Sequence, residues 1–438
     1  MKNSKFAKLA KKSLRKQLKH VEEHREEFSV SNSFFTRARK WSLHQVLHTM
    51  FFLLSDNLHT ALYRFAINTN MPSSFTLSSF IQQRDKLELN TFQYIFSHVL
   101  QDLLKAVKPK TFYGYHLLAC DGSDFSMPSE VTPSAPDADV QRKVQHHMLH
   151  LNALYDVLNG LYVAVNMAPK LTCNERSSLL DLVQALSQDC PIYKKEQTII
   201  TCDRGYEGRN VFFKLHQSGY HFVIRAKPTK GYGILHNVHI PLPVDNEIVD
   251  VDRTFTARKN PDGIYRGVNQ SVAGSGPVEE LSLRVVAVSI GNGKYEYLIT
   301  NLPREKMSKA RIVEIYRKRW DIEVSFRYLK YGVSGIVFHA KNLKAQQMEL
   351  YTTLTLYNCI SFIANNQTNI PRHTKGYRRK INFSAIVLPC IEYILFDRRV
   401  KINLDDYIAK QITWVKEGRR FDRNMRRKPP CSFQYRTV

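Results

Sequence analysis

The chain has 438 residues, 43% of them hydrophobic, and carries 64 Lys and Arg against 39 Asp and Glu, for a formal net charge of +25. That length exceeds one ordinary domain and points to about two to four modules with a sizeable core. So basic a surface repels itself unless a polyanion is its partner, so nucleic acid is the first expectation, ahead of a generally basic soluble protein or one that touches anionic lipid.

The first forty residues are rich in Lys and Arg and weakly amphipathic. The segment MKNSKFAKLAKKSLRKQLKH has cations but no apolar core after them, so a secretory signal is not expected. No apolar run approaches the roughly 20 residues of a membrane span. Helical apolar spacing follows in LHQVLHTMFFLLS (43–55) and LHTALYRFAI (58–67), then around 77–87 with Phe80, Gln83, Arg84 and Lys86, and again over 92–107. Residues 1–110 therefore read as an all-helical module, a DNA-binding one if its helices enter a groove, although a plain packing bundle has the same pattern.

From residue 115 the pattern turns to β. YHLLACD (115–121) is a short apolar run ending in an acid, and HMLHLNALYDVLNGLYVAVNM (147–167) holds two β-type runs joined around Asn159-Gly160, a hairpin signal. Thr172 and Glu175 have capping-box spacing before a helix. TIITCDRGY (198–206) is a second buried strand stopping at an acid, followed by a helix near 208–218 and the strand YHFVIRA (220–226). This order is that of a mixed sheet flanked by helices. Over 227–304 the helical signal disappears and turn pairs separate β-type runs, which reads as a β-rich insertion. Helices resume at SKARIVEIYRKRWDIEVSFRYLK and continue through MELYTTLTLYNCISFIANN. The resulting divisions are 1–110, 111–226, 227–304, 305–372 and a basic segment 373–438, in which Arg426, Arg427 and Lys428 could meet DNA or a partner subunit.

The seven cysteines show neither CxxC nor Cys/His zinc spacing, which argues against a disulfide framework and a structural zinc site; buried thiols in a reducing cytoplasm are expected. His146, His147 and His150 resemble a metal cluster, but neighbouring strand residues face opposite sides.

Two features carry chemistry. LLACD (117–121) and IITCD (199–203) echo each other as apolar strands that each end in Cys-Asp. Acids at the ends of two strands of one sheet can lie side by side, and their like charges then need a cation between them. Carboxylates are hard ligands suited to Mg²⁺, and a third acid from a facing helix allows two ions roughly 4 Å apart. In YRKRWDIEVSFRYLK (316–330), a helix places Tyr316, Arg319, Glu323 and Lys330 within an arc of roughly 60°. Ile315, Ile322, Phe326 and Leu329 make the adjoining apolar stripe, and Arg317, Lys318, Asp321 and Ser325 point to the far side. Glu323 is thereby set among cations, either as one partner in surface salt bridges or as a metal-binding carboxylate.

The spacing Tyr316, two residues, Arg319, three residues, Glu323, six residues, Lys330, with LLACDGS and TCDRGY upstream in order, resembles the signature of the DDE transposases of the insertion-sequence-four type. The resemblance covers nearly the whole chain and implies an α/β fold: a ribonuclease-H-like catalytic core, interrupted by the β-rich insertion and preceded by the all-helical module. It implies Asp121, Asp203 and Glu323 as catalytic residues and metal ligands, for two Mg²⁺ ions for which Mn²⁺ can substitute. Asp124 is the alternative first ligand; Asp121 is preferred because it directly ends the apolar run. Tyr316, Arg319 and Lys330 would grip phosphates, joined by Arg204 and Arg327. Arg204 and Arg209 could meet DNA or merely cap a helix.

In some relatives a tryptophan of the insertion stacks on a flipped base. The tryptophans here are Trp41, Trp320 and Trp414, so Tyr232, Tyr265 or Phe255 would have to substitute, and Trp320 is expected to pack. The implied reaction is hydrolysis at the inverted-repeat ends of a mobile element and joining of the 3′ ends to target DNA, by a homodimer holding both ends, in a bacterial cytoplasm in association with the nucleoid. The alternatives are a Mg²⁺-dependent nuclease on the same core and a domesticated or inactive relative that only binds DNA.

Overall fold

The computed structural model describes residues 5–416 apart from 38–40, 54–56, 70–75, 128–147, 230–232, 245–246, 271, 334–337, 368–372, 375–376 and 397–402. His146, His147, Tyr232, Arg426, Arg427 and Lys428 lie outside the described residues.

The chain opens with α1 (Lys5–Glu23), whose Ala7, Ala10, Leu14, Leu18 and Val21 recur at three- and four-residue spacing and are buried. Next come α2 (Arg25–Phe28), α3 (Leu43–Phe52), α4 (Leu58–Thr69), α5 (Leu77–Arg84) and α6 (Leu89–Ala106). Ser42 and Thr76 start α3 and α5 through reciprocal capping boxes with Gln45 and Ser79. These helices share one apolar core with the rest of the molecule. Both α1 and α6 pack on α11 (Leu343–Asn365), a later helix buried over most of its length, and α11 rests in turn on the strand Leu161–Pro169.

A nine-stranded sheet runs through the centre in the order β3-β2-β1-β4-β5-β9-β8-β6-β7. β1 (His116–Ser126), β2 (Met148–Asp156) and β3 (Leu161–Pro169) are antiparallel neighbours, while β4 (Thr198–Cys202) and β5 (His221–Ala226) run parallel to β1. The β2–β3 turn falls at Asn159-Gly160 as expected, with Gly160 at φ 71° and Asp156 accepting from the backbone N–H groups of Leu158 and Asn159. The region expected as an insertion is β-rich, comprising β6 (Ile248–Lys259), β7 (Tyr265–Arg266), β8 (Val278–Ser289) and β9 (Tyr295–Thr300). It continues the same sheet, because β9 pairs antiparallel with β5.

Helices α7 (Glu175–Asp189) and α8 (Arg209–Gln217) connect β3 to β4 and β4 to β5. The expected Thr172–Glu175 capping box does not form. Asn174 caps α7 by accepting from the N–H groups of Arg176 and Ser177, and Thr172 donates to the Pro169 carbonyl. Strand alternation sends Leu117, Ile199 and Val223 to one side, where they pack with Ile312, Ile315 and Tyr316 of α9 (Lys309–Lys318). Leu118, Ile200 and Ile224 face the other way, in one cluster with Leu179 of α7 and Phe212 of α8.

The expected signature helix is helical but broken. α9 passes through Arg319, at φ −51° and ψ −33°, into α10 (Trp320–Tyr328), which ends in a wider turn over Leu329–Val333. Asp321 is exposed as expected, but Ser325 is not on the solvent side: it is buried, and its hydroxyl lies 2.8 Å from that of Tyr162. The 373–416 region adds α12 (Phe383–Leu395), α13 (Leu404–Lys410) and a small sheet, β10 (His373–Thr374), β11 (Tyr377–Ile381) and β12 (Ile412–Lys416). Among the described residues no helix is long and apolar enough to cross a membrane. Cys120, Cys190, Cys202, Cys359 and Cys390 are buried as expected, whereas Cys173 is only partly so.

Candidate active site

The parallel pairing of β1 with β4 ends at Cys120 opposite Cys202. The next residue on each strand is an acid, so register alone sets Asp121 and Asp203 beside each other, on the face that Leu117 and Ile199 share with α9. β1 does not stop at Asp121, as the sequence suggested, but continues to Ser126 by pairing with β2, with Asp121 opposite Ala153. Asp203 begins a turn instead, and its carboxylate accepts from the Gly205 N–H at 2.7 Å.

Glu323 reaches the pair from the first turn of α10, which packs on β1. The guanidinium of Arg319 joins them, donating to the Asp121 carboxylate at 3.3 Å and to that of Glu323 at 2.7 Å. Arg319 is only 8% exposed, so its charge is held among these acids with little water to screen it. Burial raises the Asp121 carboxyl to about 6; Arg319 and the Gly122 N–H oppose that rise, and the charges of Asp203 and Glu323 add to it. Asp121 therefore senses the charge of both other acids. Among the described residues, however, no group of three or more His, Cys, Asp and Glu is close enough together to hold a metal ion.

The remaining expected site residues are distributed as follows. Tyr316 is buried beneath Arg319, with its ring centroid 5.8 Å from the guanidinium carbon, and burial pushes its hydroxyl up to about 12. Lys330 donates to the Asp124 carbonyl at 2.6 Å and lies over the Phe125 ring, so it flanks β1 at the edge of the site. Arg204, just after Asp203, and Arg327, in the last turn of α10, are exposed. Arg209 does not cap a helix: its Nε donates to the Thr256 carbonyl and so ties α8 to β6. Trp320 is 47% exposed rather than packed away, and Trp414 is also exposed. Tyr265 and Phe255 are buried, at 3% and 4% exposure, with Tyr265 stacked on Phe213, so neither offers a free ring face.

A second charged group adjoins the first and was not visible in the sequence. Asp124 lies opposite His150 in the β1–β2 register, and its carboxylate accepts a short hydrogen bond from the His150 ring. Lys170 sits 3.2 Å from Asp124, and Glu175 sits 3.4 Å from the far nitrogen of His150. His150 and Lys170 hold the Asp124 carboxyl below its usual range even though burial acts the other way. Asp124 is thus engaged away from Asp121. The signal that could have revealed the group was the continuation of β1 to Ser126, since an antiparallel register then pairs Asp124 with His150. Arg225 and Glu296, paired at 3.2 Å and both sensed by Tyr316, were also missed, because they come from β5 and the insertion strand β9.

Residues 113–359 match the family described as the transposase DDE domain. The chain is similar to a putative transposase for insertion sequence element IS4SA from Synechocystis, at 35% identity over 83 residues, 18% of this chain and 24% of that protein. It is also similar to transposase InsG for insertion sequence element IS4 from Escherichia coli, at 21% identity over 305 residues, 68% of this chain and 63% of that one. In both cases the match spans less than two thirds of the relative's own length. The piggyBac transposase, solved as a synaptic complex with hairpin DNA, aligns over 92% of this chain and 84% of its own at 10% identity and a TM-score of 0.45, a likeness too loose to decide anything further. With more than half of its length matched, and with insertion-sequence transposases among its relatives, the chain belongs to the transposase DDE domain family.

Proposed function

We propose that the chain is a DNA transposase that cleaves phosphodiester bonds at the ends of an insertion sequence and joins the freed 3′ ends to target DNA. The observation that supports this most strongly is the register of β1 and β4, whose mutual pairing ends one residue before an acid on each strand, with Glu323 tied to Asp121 through Arg319. The order β3-β2-β1-β4-β5, with the first three strands antiparallel and the last two parallel to β1, agrees with a ribonuclease-H-like core.

The three acids suit a divalent cation by their chemistry, although in this structure they are not drawn together closely enough to share one. Asp121 resists ionising because it is buried beside two like charges, and the group offsetting that charge is a guanidinium spanning two of the acids. Asp121, Asp203 and Glu323 would hold Mg²⁺, or Mn²⁺ in its place, two ions in our reading. Bound there, the cations would favour the deprotonated attacking oxygen and offset charge on the leaving one. Arg319, fixed by two carboxylates, orients Glu323 toward β1 and carries a charge that can pass to a phosphate when the acids gain another partner. Arg204 and Arg327 are exposed cations flanking the acids and suited to backbone phosphates, and Lys330 adds a third at the β1 edge. Tyr316 supports Arg319 from below, a role its burial favours over direct contact with a phosphate. One chain carries one set of acids and an element has two ends, so a homodimer on paired ends is the proposed assembly, in the bacterial cytoplasm.

Incubation with labelled inverted-repeat DNA, Mg²⁺ and a target plasmid tests the reading. A transposase yields cut ends and joined product, a nuclease yields cut ends alone, and a domesticated relative yields a bound complex and no cleavage. Glu323→Gln should reduce cleavage by roughly a thousandfold or more while leaving end binding within a few fold. Unchanged cleavage would remove Glu323 from the mechanism.

A further inference from the structure

Beyond Asp203 lie two adjoining cavities, of about 370 Å³ and about 450 Å³, that share Asn174 and Arg176 as walls. The first is bounded by Lys170, Glu175 and Gly205; the second opens between α7, α8 and the β7 region of the insertion and is bounded by Arg209, Lys214 and Arg266. Five cations line this path against two acids, Glu175 and Asp181.

The two arginines at its centre are set in place. Arg176 donates from Nε to the Gly205 carbonyl, and Arg209 from Nε to the Thr256 carbonyl, each bond at 3.0 Å. A side chain at position 208 would meet the Arg176 guanidinium at 3.6 Å, and one at position 267 would meet that of Arg209 at the same distance, so each guanidinium rests against a glycine. Anchoring through Nε pre-orders each side chain, so its terminal nitrogens could bind a phosphate with little ordering cost. Two of the amides along the path are committed internally: Asn174 caps α7, and Asn210 accepts from the Tyr265 N–H. With two of its three amides and both central arginines already held by protein groups, the path is rich in fixed phosphate partners.

We propose that this groove holds the phosphate backbone of target DNA, gripping it without regard to sequence and leading it to the acids beside Asp203. The inference rests on the transposase reading above and adds to it a surface for the second DNA substrate.

The test uses the full chain with Lys214→Ala and Arg266→Ala combined, two residues outside the apolar core. Binding of a random-sequence 30-base-pair duplex is followed over a range of salt concentrations. Each lost phosphate contact lowers the slope of log K against log salt by about 0.9, so the double variant should lose between about 1 and 2 in slope and bind roughly tenfold more weakly at moderate salt. An unchanged slope overturns the proposal. In a second arm, joining of a pre-cut end to a plasmid should fall by about tenfold and by more than cleavage of an uncut end, because only joining needs target DNA. Equal losses in the two reactions would overturn the assignment to target DNA. If the parent protein neither cuts nor joins, the transposase reading fails, whereas the salt slope still decides whether the groove binds a DNA backbone.

Discussion

Replacing Asp121 by Asn should abolish cleavage and, in the absence of divalent cations, make the protein more stable. The Asp121 carboxyl titrates at about 6 instead of 3.8, chiefly through burial and then through the charges of Asp203 and Glu323, even with Arg319 in contact. Keeping it ionised at neutral pH therefore costs on the order of 3 kcal/mol. The direction follows from linkage: a carboxyl whose folded value is raised binds its proton more tightly when folded. The penalty is full above about 6 and fades as the pH falls toward 4. Asparagine has nearly the same shape and no charge. With an unfolding entropy of about 2 cal/mol/K per residue over this length, roughly 3 kcal/mol corresponds to a rise of about 3 °C. Thermal unfolding followed by circular dichroism in a chelator at pH 8 should show that rise, and at pH 4.5 most of it should vanish because Asp121 is then protonated as well. A variant no more stable than the parent at pH 8, or one equally favoured at both pH values, would refute the claim that Asp121 is held under electrostatic strain.

Arg319→Ala should destabilise the chain by about 3–5 kcal/mol in urea unfolding, because it leaves the Asp121 and Glu323 carboxylates without their shared partner. Arg319→Lys should recover only part of that, since one ammonium cannot reproduce the fork that reaches both acids. Gly122→Ala would place a carbon 2.5 Å from the far nitrogen of His150, a ring buried and held by Asp124, so β1 and β2 must shift apart. A loss of about 1–3 kcal/mol is expected by the same assay, and none would mean the ring can move aside. Glu349 is buried, accepts from the N–H groups of His339 and Ala340 at 2.9 Å each, and lies 4.0 Å from Arg84. His339 is the main influence holding its carboxyl below the usual value against the cost of burial, so its stabilising effect is present at neutral pH and lost as the pH falls through that lowered value. Glu349→Ala should cost about 3–5 kcal/mol at pH 7 and less at pH 3, which chemical denaturation at the two pH values would measure.

Much of the fold was legible because local rules are short-range. Short apolar runs marked β1, β4 and β5, Asn159-Gly160 marked the hairpin, and the loss of helical spacing marked the β-rich stretch after β5. The two Cys-Asp strand ends identified the paired acids as candidates, since a strand end in an α/β sheet opens toward a site. Where the sequence misled, longer-range packing had prevailed. Ser325 is polar and was placed in solvent by helical phase, but the hydroxyl of Tyr162, far away along the chain, gives it a buried partner. The cap of α7 is a local exception: Asn174, two residues after Thr172, accepts from the N–H groups of Arg176 and Ser177.

By itself the amino-acid sequence determined the alternation of helices and strands, the positive charge that calls for a polyanion, and the spacing from Tyr316 to Lys330 that carries the family resemblance. Only the tertiary structure decided that Arg319 bridges Asp121 and Glu323, that β9 joins the insertion to β5, and that Asp124 turns to His150 rather than to the other acids. The physical reason is the same in each case. Periodicity fixes which way a side chain points within its own element, but the partner it meets there is set by strand register and by the packing of helices on the sheet, both of which join residues far apart in the chain.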